Sequence, residues 1–255
     1  MKKWMRALAL GASAAILMTV AGCSGDDSSK YNLVKDDTLT VGTNAEFPPF
    51  EFRSGDAVDG VDAAVMKAVA DKLGLKLDIQ DMAFESLDGA LTSEKVDIIA
   101  AGYTIRSDRL EKMDFTDTYY KAEQTIIVRS DSGYKSKDDL KGKKIGGQSS
   151  TTGLISAAVE LTKEENIKGY SNGAVAIEDL INGKLDAVII DNNPAKAYKE
   201  QHGDKLTLIN GQFEQEEYAY AVRKGNSELQ KAVNEAMKEL KDSGKFDEII
   251  GQYIK

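Results

Sequence analysis

The feature that most limits the fold of this chain is an alternation of short apolar runs with segments of helical periodicity, which occurs twice. Apolar residues repeat at four-residue spacing from Val61 to Leu73 and end at Gly74, which is typical of a helix closed by glycine. Such alternation predicts an α/β fold in which each sheet is mainly parallel and flanked by helices. The predicted strands lie at 39–41, 75–79, 96–100, 144–147 and 185–190, and the predicted helices at 61–73, 86–93, 153–161 and 177–181.

One short pattern in the first half of the chain recurs in the second. Residues 94–100 (EKVDIIA) and 183–189 (GKLDAVI) each combine a helix end, a tight turn and an aspartate that leads a buried strand. Two copies of one such unit predict two similar lobes, and extended segments at 124–129 and 217–223 predict a two-stranded hinge between them. The predicted organisation is lobe 1 at 37–127, an inserted lobe 2 at 128–216, and a return to lobe 1 at 217–255 through two C-terminal helices.

The N-terminal segment has the layout of a secretory signal. Basic residues precede an apolar run over residues 7–20, and that run ends in a Val-Ala-Gly-Cys sequence at Cys23. This ending is similar to the bacterial lipoprotein cleavage box, and a signal peptide that merely contains a cysteine is the alternative. We therefore expect removal of residues 1–22, a lipid on Cys23 that anchors the protein extracytoplasmically to the bacterial cell membrane, and a flexible polar tether at 23–36.

Composition excludes several classes of function. Cys23 is the only cysteine and His202 the only histidine, so we expect no intrachain disulfide, no His- or Cys-based metal site and no Ser-His-Asp triad. Loss of residues 1–22 leaves 30 basic against 42 acidic residues, a net charge near −12. Such a chain repels phosphate backbones, so we expect no nucleic-acid partner. No cofactor is predicted.

Ligands of open α/β sheets bind beyond the carboxyl ends of the parallel strands, so the loops that follow the predicted strands are the candidate site. Arg109 and the helix start at 151–153 offer a guanidinium and free N–H groups for a carboxylate. Asp191, Thr104 and the Gly102 carbonyl offer acceptors for an ammonium. This set fits the two poles of a zwitterion.

A series of short motifs runs in one order through nearly all of the chain after residue 37. They are VGT at 41–43, PFE at 49–51, GVD at 60–62, KVD at 95–97, TIRSDR at 104–109, DFT at 114–116, LKGKKIG at 140–146, DAV at 186–188 and GKF at 244–246. By these motifs the chain resembles the family 3 extracellular solute-binding proteins of ABC importers, which bind polar amino acids. The resemblance implies a two-lobed periplasmic-binding-protein-like fold of type II, ligand-induced closure around a free L-amino acid, and delivery by a monomer to an ABC permease and its ATPase.

The same resemblance assigns ligand contacts to individual residues. It implies that Arg109 binds the α-carboxylate, with Thr104 and the amides near Thr151 and Thr152, and that Asp191 and the Gly102 carbonyl bind the α-ammonium. It also places three aromatic residues around the ligand, namely Phe47, Phe84 and Tyr103.

Some positions depart from the family pattern. Asn44 stands where several binders of basic amino acids carry aspartate, which weakens the prediction of arginine or lysine, whereas Glu46 and Gln148 can restore polarity. Ala101 replaces a serine of some relatives, and Tyr103 is bulkier than the usual aliphatic residue. We therefore expect a polar or moderately large amino acid, with basic amino acids and cystine still possible.

Simpler interpretations accompany these assignments. Arg109 can belong to a solvated helix surface, Asp191 can serve only as a helix cap, and Phe47 and Phe84 can be plain core residues. An alternative is an enzyme on the same scaffold, since the cyclohexadienyl dehydratases resemble this family. Such elimination chemistry requires a positioned acid or base, for which Glu46 and Glu217 are candidates. We predict a binder and not an enzyme, because the loops offer no obvious second basic group for a ring carboxylate.

Overall fold

The computed structural model describes residues 30–254. The predicted signal peptide, Cys23 and the first part of the predicted tether lie outside the described residues. None of the helices between residues 30 and 254 is both long and apolar enough to span a bilayer.

The first lobe is built on a five-stranded sheet with the order β5-β1-β6-β14-β7. Its first strand is buried along its whole length, as a central strand covered on both faces must be. A short three-stranded sheet, β2-β3-β4, lies beside it. The strands are β1 (Thr38–Thr43), β2 (Glu46–Phe47), β3 (Glu51–Ser54), β4 (Ala57–Asp59), β5 (Lys76–Asp81), β6 (Ile98–Ile99), β7 (Met113–Phe115) and β14 (Ala221–Arg223), and the helices are α1 (Val61–Leu73), α2 (Leu87–Thr92), α3 (Ser107–Leu110), α7 (Ser227–Asp242) and α8 (Lys245–Tyr253).

The second lobe is built on a sheet with the order β10-β9-β11-β8-β12, to which β13 is joined through β8. Strand β11 is fully buried and lies between β9 and β8. Gly153–Ala157 forms a π-helical turn that continues directly into α4. The strands are β8 (Tyr120–Arg129), β9 (Ile145–Gln148), β10 (Ile167–Tyr170), β11 (Ala187–Asp191), β12 (Leu206–Ile209) and β13 (Gln215–Tyr218), and the helices are α4 (Ala158–Leu161), α5 (Gly173–Ile181) and α6 (Asn192–His202).

These two sheets confirm the α/β fold, but they are mixed and not mainly parallel. In each lobe the strands that precede and follow helices pair in parallel, such as β1 with β5 and β9 with β11. The strands that carry the chain between the lobes pair in the antiparallel sense, as β14 does with β6 and β8 does with β11. The crossing strands run opposite to the others because the chain enters each sheet from the hinge.

The hinge lies earlier in the chain than the sequence predicted. Strand β8 begins at Tyr120 and pairs with β13 over residues 120–123, and this pair forms the two-stranded connection. Residues 124–129, which the sequence predicts as one strand of the hinge, pair with β11 and β12 inside the second sheet. The predicted end of lobe 1 at residue 127 is therefore too late, because the apolar run that marks β8 belongs mostly to the core of lobe 2.

The C-terminal helices return to the first lobe. Helix α7 packs on α1, and the Lys72 ammonium lies 2.7 Å from a Glu239 carboxylate oxygen at this contact. The buried face of α7 is the apolar stripe of its sequence, with residues four or three apart as in an amphipathic helix. That stripe consists of Leu229, Ala232, Val233, Ala236, Met237 and Leu240.

Candidate ligand cavity between the lobes

A cavity lies between the two lobes, at the carboxyl ends of β1, β6, β9 and β11. All of the predicted ligand-binding residues except Tyr103 line it, and one alanine joins them. The lining residues are Asn44, Phe47, Phe84, Ala101, Gly102, Thr104, Arg109, Gln148, Thr151, Thr152 and Asp191.

Arg109 supplies the positive charge of the cavity. Arg109 is buried, since only 2% of the residue is accessible. Its Cζ atom lies 3.7 Å from the centroid of the Tyr103 ring. Nη1 donates to the Thr104 carbonyl at 2.9 Å, Nη2 donates to the Ser150 carbonyl at 3.4 Å, and Nε has no partner. Burial lowers the pKa of Arg109, since the charged form loses its hydration. The interpretation of Arg109 as a solvated surface residue is therefore wrong.

Gly102 is held at the cavity wall by a buried aspartate. Its N–H donates to Asp62 Oδ2 at 2.8 Å, and its φ of 51° lies in the left-handed region that glycine adopts without strain. A Cβ atom at this position would come within 2.9 Å of the Phe47 ring. Both the backbone conformation and the close ring therefore require glycine here.

Asp191 supplies the negative charge and comes from the second lobe. Its Oδ1 accepts hydrogen bonds from Gln124 Nε2 at 2.9 Å and from the Tyr218 hydroxyl at 2.6 Å, an arrangement that leaves Oδ2 available. Burial, followed by the nearby carboxylate of Glu216, raises the pKa of Asp191. Although Asp191 precedes α6, its side chain makes no capping hydrogen bond, so the interpretation of Asp191 as only a cap is wrong.

Two threonines from opposite lobes share one carboxylate. The hydroxyls of Thr104 and Thr152 each donate to Glu216 Oε2 at 2.8 Å, and Thr152 Oγ1 also accepts from Gln124 Nε2 at 3.0 Å. Glu216 lies on hinge strand β13, opposite Ala122 of β8. This carboxylate therefore connects both lobes at the hinge side of the cavity.

The start of the π-helical turn lies against the strand that carries Asp191. A Cβ atom at Gly153 would come within 2.7 Å of Gln124 Oε1 and 2.8 Å of the Ile189 carbonyl oxygen, so only glycine permits this approach. The first N–H groups of a helix have no partner within the helix. Thr151 and Thr152 thereby lie in the same cavity wall as Asp191. The Thr151 N–H already donates to the Gln148 carbonyl at 3.4 Å, so the Thr152 N–H is the backbone donor here with no partner among the described residues.

The opposite end of the cavity carries two amides. Asn44 Nδ2 donates to the Met82 carbonyl at 2.9 Å, and Gln148 Nε2 donates both to the Ser171 carbonyl at 3.2 Å and to Asn44 Oδ1 at 2.8 Å. Because a carbonyl oxygen can only accept, the Met82 and Ser171 carbonyls fix which way each amide points. The Gln148–Asn44 bond also links the two lobes across the cleft.

Tyr103 and Glu46 do not line the cavity. Tyr103 is fully buried, and its ring packs under the Arg109 guanidinium while its hydroxyl bonds to Asp88. Gly102 reaches the cavity through its backbone, in a left-handed turn, and Thr104 reaches it from the chain that follows, whereas the Tyr103 side chain packs in the core of lobe 1. Glu46 is exposed and accepts from Asn172 Nδ2 at 3.0 Å, a second contact across the cleft.

Sequence reasoning missed the residues that support the two charges. Gln124, Glu216 and Tyr218 all lie on the hinge strands and bond to Asp191 or to the cavity threonines. Gln124 lies two residues before the apolar run at 126–128 and carries no such signal. Glu216 and Tyr218 are two residues apart and so face one side of β13, which is the signal that could have identified them. Among the described residues, no cluster of three or more potential metal ligands is present.

Comparison with known proteins agrees with this geometry. The family model described as bacterial extracellular solute-binding proteins, family 3, matches residues 39–255. The arginine-binding extracellular protein ArtP of Bacillus subtilis (strain 168) is 34% identical over 98% of this chain and 96% of its own length. A probable histidine-binding protein of Neisseria gonorrhoeae is also 34% identical, over 100% of this chain and 96% of its own length.

A solved structure shares the fold closely. The arginine-, lysine-, histidine-binding protein ArtJ of Geobacillus stearothermophilus superposes with a TM-score of 0.81 at 37% sequence identity. The match covers 85% of this chain and 95% of the ArtJ chain. The two-lobed fold predicted for this chain is therefore confirmed.

Proposed function

This chain belongs to the family 3 bacterial extracellular solute-binding proteins, and we propose on that premise that it captures a free L-amino acid between its lobes for import. The ligand's α-carboxylate binds Arg109 and the amides at Thr151 and Thr152. Its α-ammonium binds Asp191, the Gly102 carbonyl and the Thr104 hydroxyl oxygen.

The observation that carries this proposal is a pair of opposite charges buried in one cavity without ionic partners. Arg109 comes from lobe 1 and Asp191 from lobe 2, and both line the cavity. Within residues 30–254, neither forms an ion pair within 4.0 Å. A buried charge without a counter-charge costs several kcal/mol, so each pole gains from a ligand that supplies the opposite charge. An amino acid zwitterion supplies both, and only the closed arrangement of the lobes satisfies both.

The distal end of the cavity favours a side chain that donates hydrogen bonds. Gln148 uses both amide protons, on the Ser171 carbonyl and on Asn44 Oδ1, and Asn44 uses one on the Met82 carbonyl. Gln148 Oε1 and the second lone pair of Asn44 Oδ1 are therefore left as acceptors, against one remaining N–H of Asn44. Phe47 and Phe84 add flat apolar walls. A guanidinium or imidazole matches acceptors beside aromatic rings, and relatives named for arginine and histidine binding agree with this class. We therefore place basic amino acids first, although Asn44 lacks the charge of an aspartate.

The bound amino acid also has to reach an importer in the cell membrane. We propose that an ABC permease and its ATPase receive the amino acid from a monomer of this protein, and that a lipid on Cys23 holds the protein at the outer face of the cell membrane. Replacement of Cys23 by serine is expected to release the protein from cells into the medium. Membrane attachment of the Cys23→Ser protein would contradict the lipid anchor while leaving amino-acid binding untouched.

A thermal-shift screen of the twenty free L-amino acids, followed by calorimetry, tests the function directly. A ligand that binds only the folded state raises the melting temperature, and we expect the largest rise with L-arginine or L-histidine. Agmatine, which is arginine without its carboxylate, and 5-guanidinopentanoate, which is arginine without its α-amino group, are expected to bind more weakly than arginine. Equal affinity for all three compounds would rule out recognition of both poles.

The dehydratase alternative receives a separate test. Of the described residues that line the cavity, Arg109 is the only one with a basic side chain, whereas prephenate carries two carboxylates. We expect no turnover of prephenate or arogenate during prolonged incubation. If the wild type forms an aromatic product and the Arg109→Ala variant does not, the protein is an enzyme and the binder assignment is wrong.

A further inference from the structure

A carboxylate on hinge strand β13 contacts two residues of the cavity wall and has no role in the proposed function so far. Glu216 Oε2 accepts hydrogen bonds from the hydroxyls of Thr104 and Thr152, each at 2.8 Å. Thr104 belongs to lobe 1 and Thr152 to lobe 2, and both line the cavity. Glu216 thus contacts the binding groups of both lobes from a strand that belongs to the hinge.

Hydrogen-bond accounting fixes what the Thr104 hydroxyl can do. A hydroxyl has one proton to donate and two lone pairs to accept, whereas an ionised carboxylate can only accept. Because the Thr104 proton points to Glu216, only its lone pairs remain for a ligand. Thr104 can then receive an N–H of an ammonium and cannot donate to a carboxylate.

The Thr152 hydroxyl also has its hydrogen bonds already assigned. Its proton goes to Glu216, and one lone pair receives Gln124 Nε2 at 3.0 Å. The second proton of the Gln124 amide goes to Asp191 Oδ1 at 2.9 Å, so one network joins Glu216 to the acidic pole of the cavity. What Thr152 can offer a ligand carboxylate is its backbone N–H at the start of the helical turn.

We propose that Glu216 is a positioning residue that turns the Thr104 hydroxyl into an acceptor, so that this side of the cavity selects the α-ammonium of an amino acid. The proposal rests on the proposed function and adds a residue that decides which pole Thr104 recognises. With Thr104 as an acceptor, the ammonium has three acceptors for its three N–H bonds, namely Asp191 Oδ2, the Gly102 carbonyl and Thr104 Oγ1. The family resemblance had placed Thr104 with the α-carboxylate.

Paired ligands test this role. Calorimetry with L-arginine and with 5-guanidinopentanoate is carried out on the wild type and on Glu216→Ala. We expect Glu216→Ala to weaken arginine binding about tenfold or more, because the freed hydroxyl proton can turn toward the ammonium. The affinity for 5-guanidinopentanoate, which has no ammonium, should stay within about twofold. An equal loss of affinity for both compounds would mean that Glu216 only holds the lobes together. That result would overturn the proposal.

Two further variants separate orientation from charge and from folding. Glu216→Gln keeps an oxygen that can accept both hydroxyl protons, so its arginine affinity should lie much nearer to the wild type than that of Glu216→Ala. A loss as large as that of Glu216→Ala would show that the charge acts alone and would overturn the proposal. Glu217→Ala is the matched control, because its exposed side chain alternates to the other side of β13. A wild type that binds no arginine would refute the proposed ligand and, with it, the role of Glu216 that rests on it, whereas normal arginine binding with an equal loss for both ligands would refute Glu216 alone.

Discussion

The two charged poles of the cavity are built in different ways. Arg109 is held by backbone carbonyls and by the ring of Tyr103, which are groups that do not titrate near neutral pH. Asp191 is held by the side chains of Gln124 and Tyr218, and the carboxylate of Glu216 lies near it. The cationic pole is thus rigid in charge and position. The anionic pole can be adjusted by its neighbours and by pH.

This difference assigns separate tasks to the two lobes. A guanidinium remains charged at all accessible pH values, so lobe 1 always presents a carboxylate site. Burial, followed by the nearby Glu216 carboxylate, raises the pKa of Asp191 to about 7, so below that pH lobe 2 presents its full negative charge only when an ammonium stabilises that charge. We expect the lobe 1 contacts to determine the overall affinity for the amino acid. We expect the lobe 2 contacts to determine how that affinity changes with pH.

The largest effect is expected from Arg109→Ala. Removal of one partner of a buried charge pair costs about 2–5 kcal/mol, because the ligand carboxylate is left without a counter-charge. Calorimetry with L-arginine should show this loss, while the melting temperature without ligand should hold or rise. Arg106→Ala is the matched control, since Arg106 also reaches the Ser150 carbonyl at 3.4 Å but is already paired with Asp108 at 2.7 Å. A similar loss for both variants would contradict the special role of Arg109.

Asp191→Asn is expected to have a smaller but pH-dependent effect. The asparagine keeps an acceptor for Gln124 and Tyr218, so the loss at neutral pH should be about 2 kcal/mol, the value of one charged hydrogen bond. A bound ammonium favours the carboxylate and lowers the pKa of Asp191 from its raised value. Wild-type affinity should therefore rise with pH from about 4, the ordinary aspartate pKa, up to that raised value, and then level off.

Proton release provides the measurement for this second prediction. Calorimetry in buffers of different ionisation enthalpy should show that wild-type protein releases protons on binding L-arginine within that window. The Asp191→Asn variant should not release them. Glu51 and Asp62 also have raised pKa values from burial, so the difference between the two proteins is the quantity that isolates Asp191. Equal proton release in both proteins would assign the titration to another group.

The sequence predicted the poles of the cavity better than their support. Arg109, Asp191 and Gly102 were predictable because they follow buried strands or belong to collinear motifs, which patterns in one sequence reveal. Tyr103 was wrongly placed in the cavity wall, because the face that a loop residue presents depends on local backbone geometry. Glu216 was missed because its role depends on the pairing of β13 with β8, a contact between distant parts of the chain.

The smallest effect on ligand binding is expected at a buried acid that does not line the cavity. Glu51 lies beside Asp62, and both of its carboxyl oxygens are buried. Burial, with the nearby Asp62 charge, raises the pKa of Glu51 well above its ordinary value. Because the folded state holds the proton more tightly than the unfolded state, wild-type stability falls as pH rises from about 4 to the raised pKa.

Glu51→Gln removes this titration and keeps the shape of the neutral acid. Its melting temperature should equal that of the wild type near pH 4 and exceed it increasingly at higher pH, with each pKa unit worth about 1.4 kcal/mol. Glu85→Gln, at an exposed position of the same lobe, should show no such divergence. A constant difference between Glu51→Gln and the wild type at all pH values would mean that Glu51 does not titrate in this range. Burial would then not be sufficient to raise the pKa of an acid in lobe 1, and Asp191 would differ from Glu51 because its charge meets a ligand.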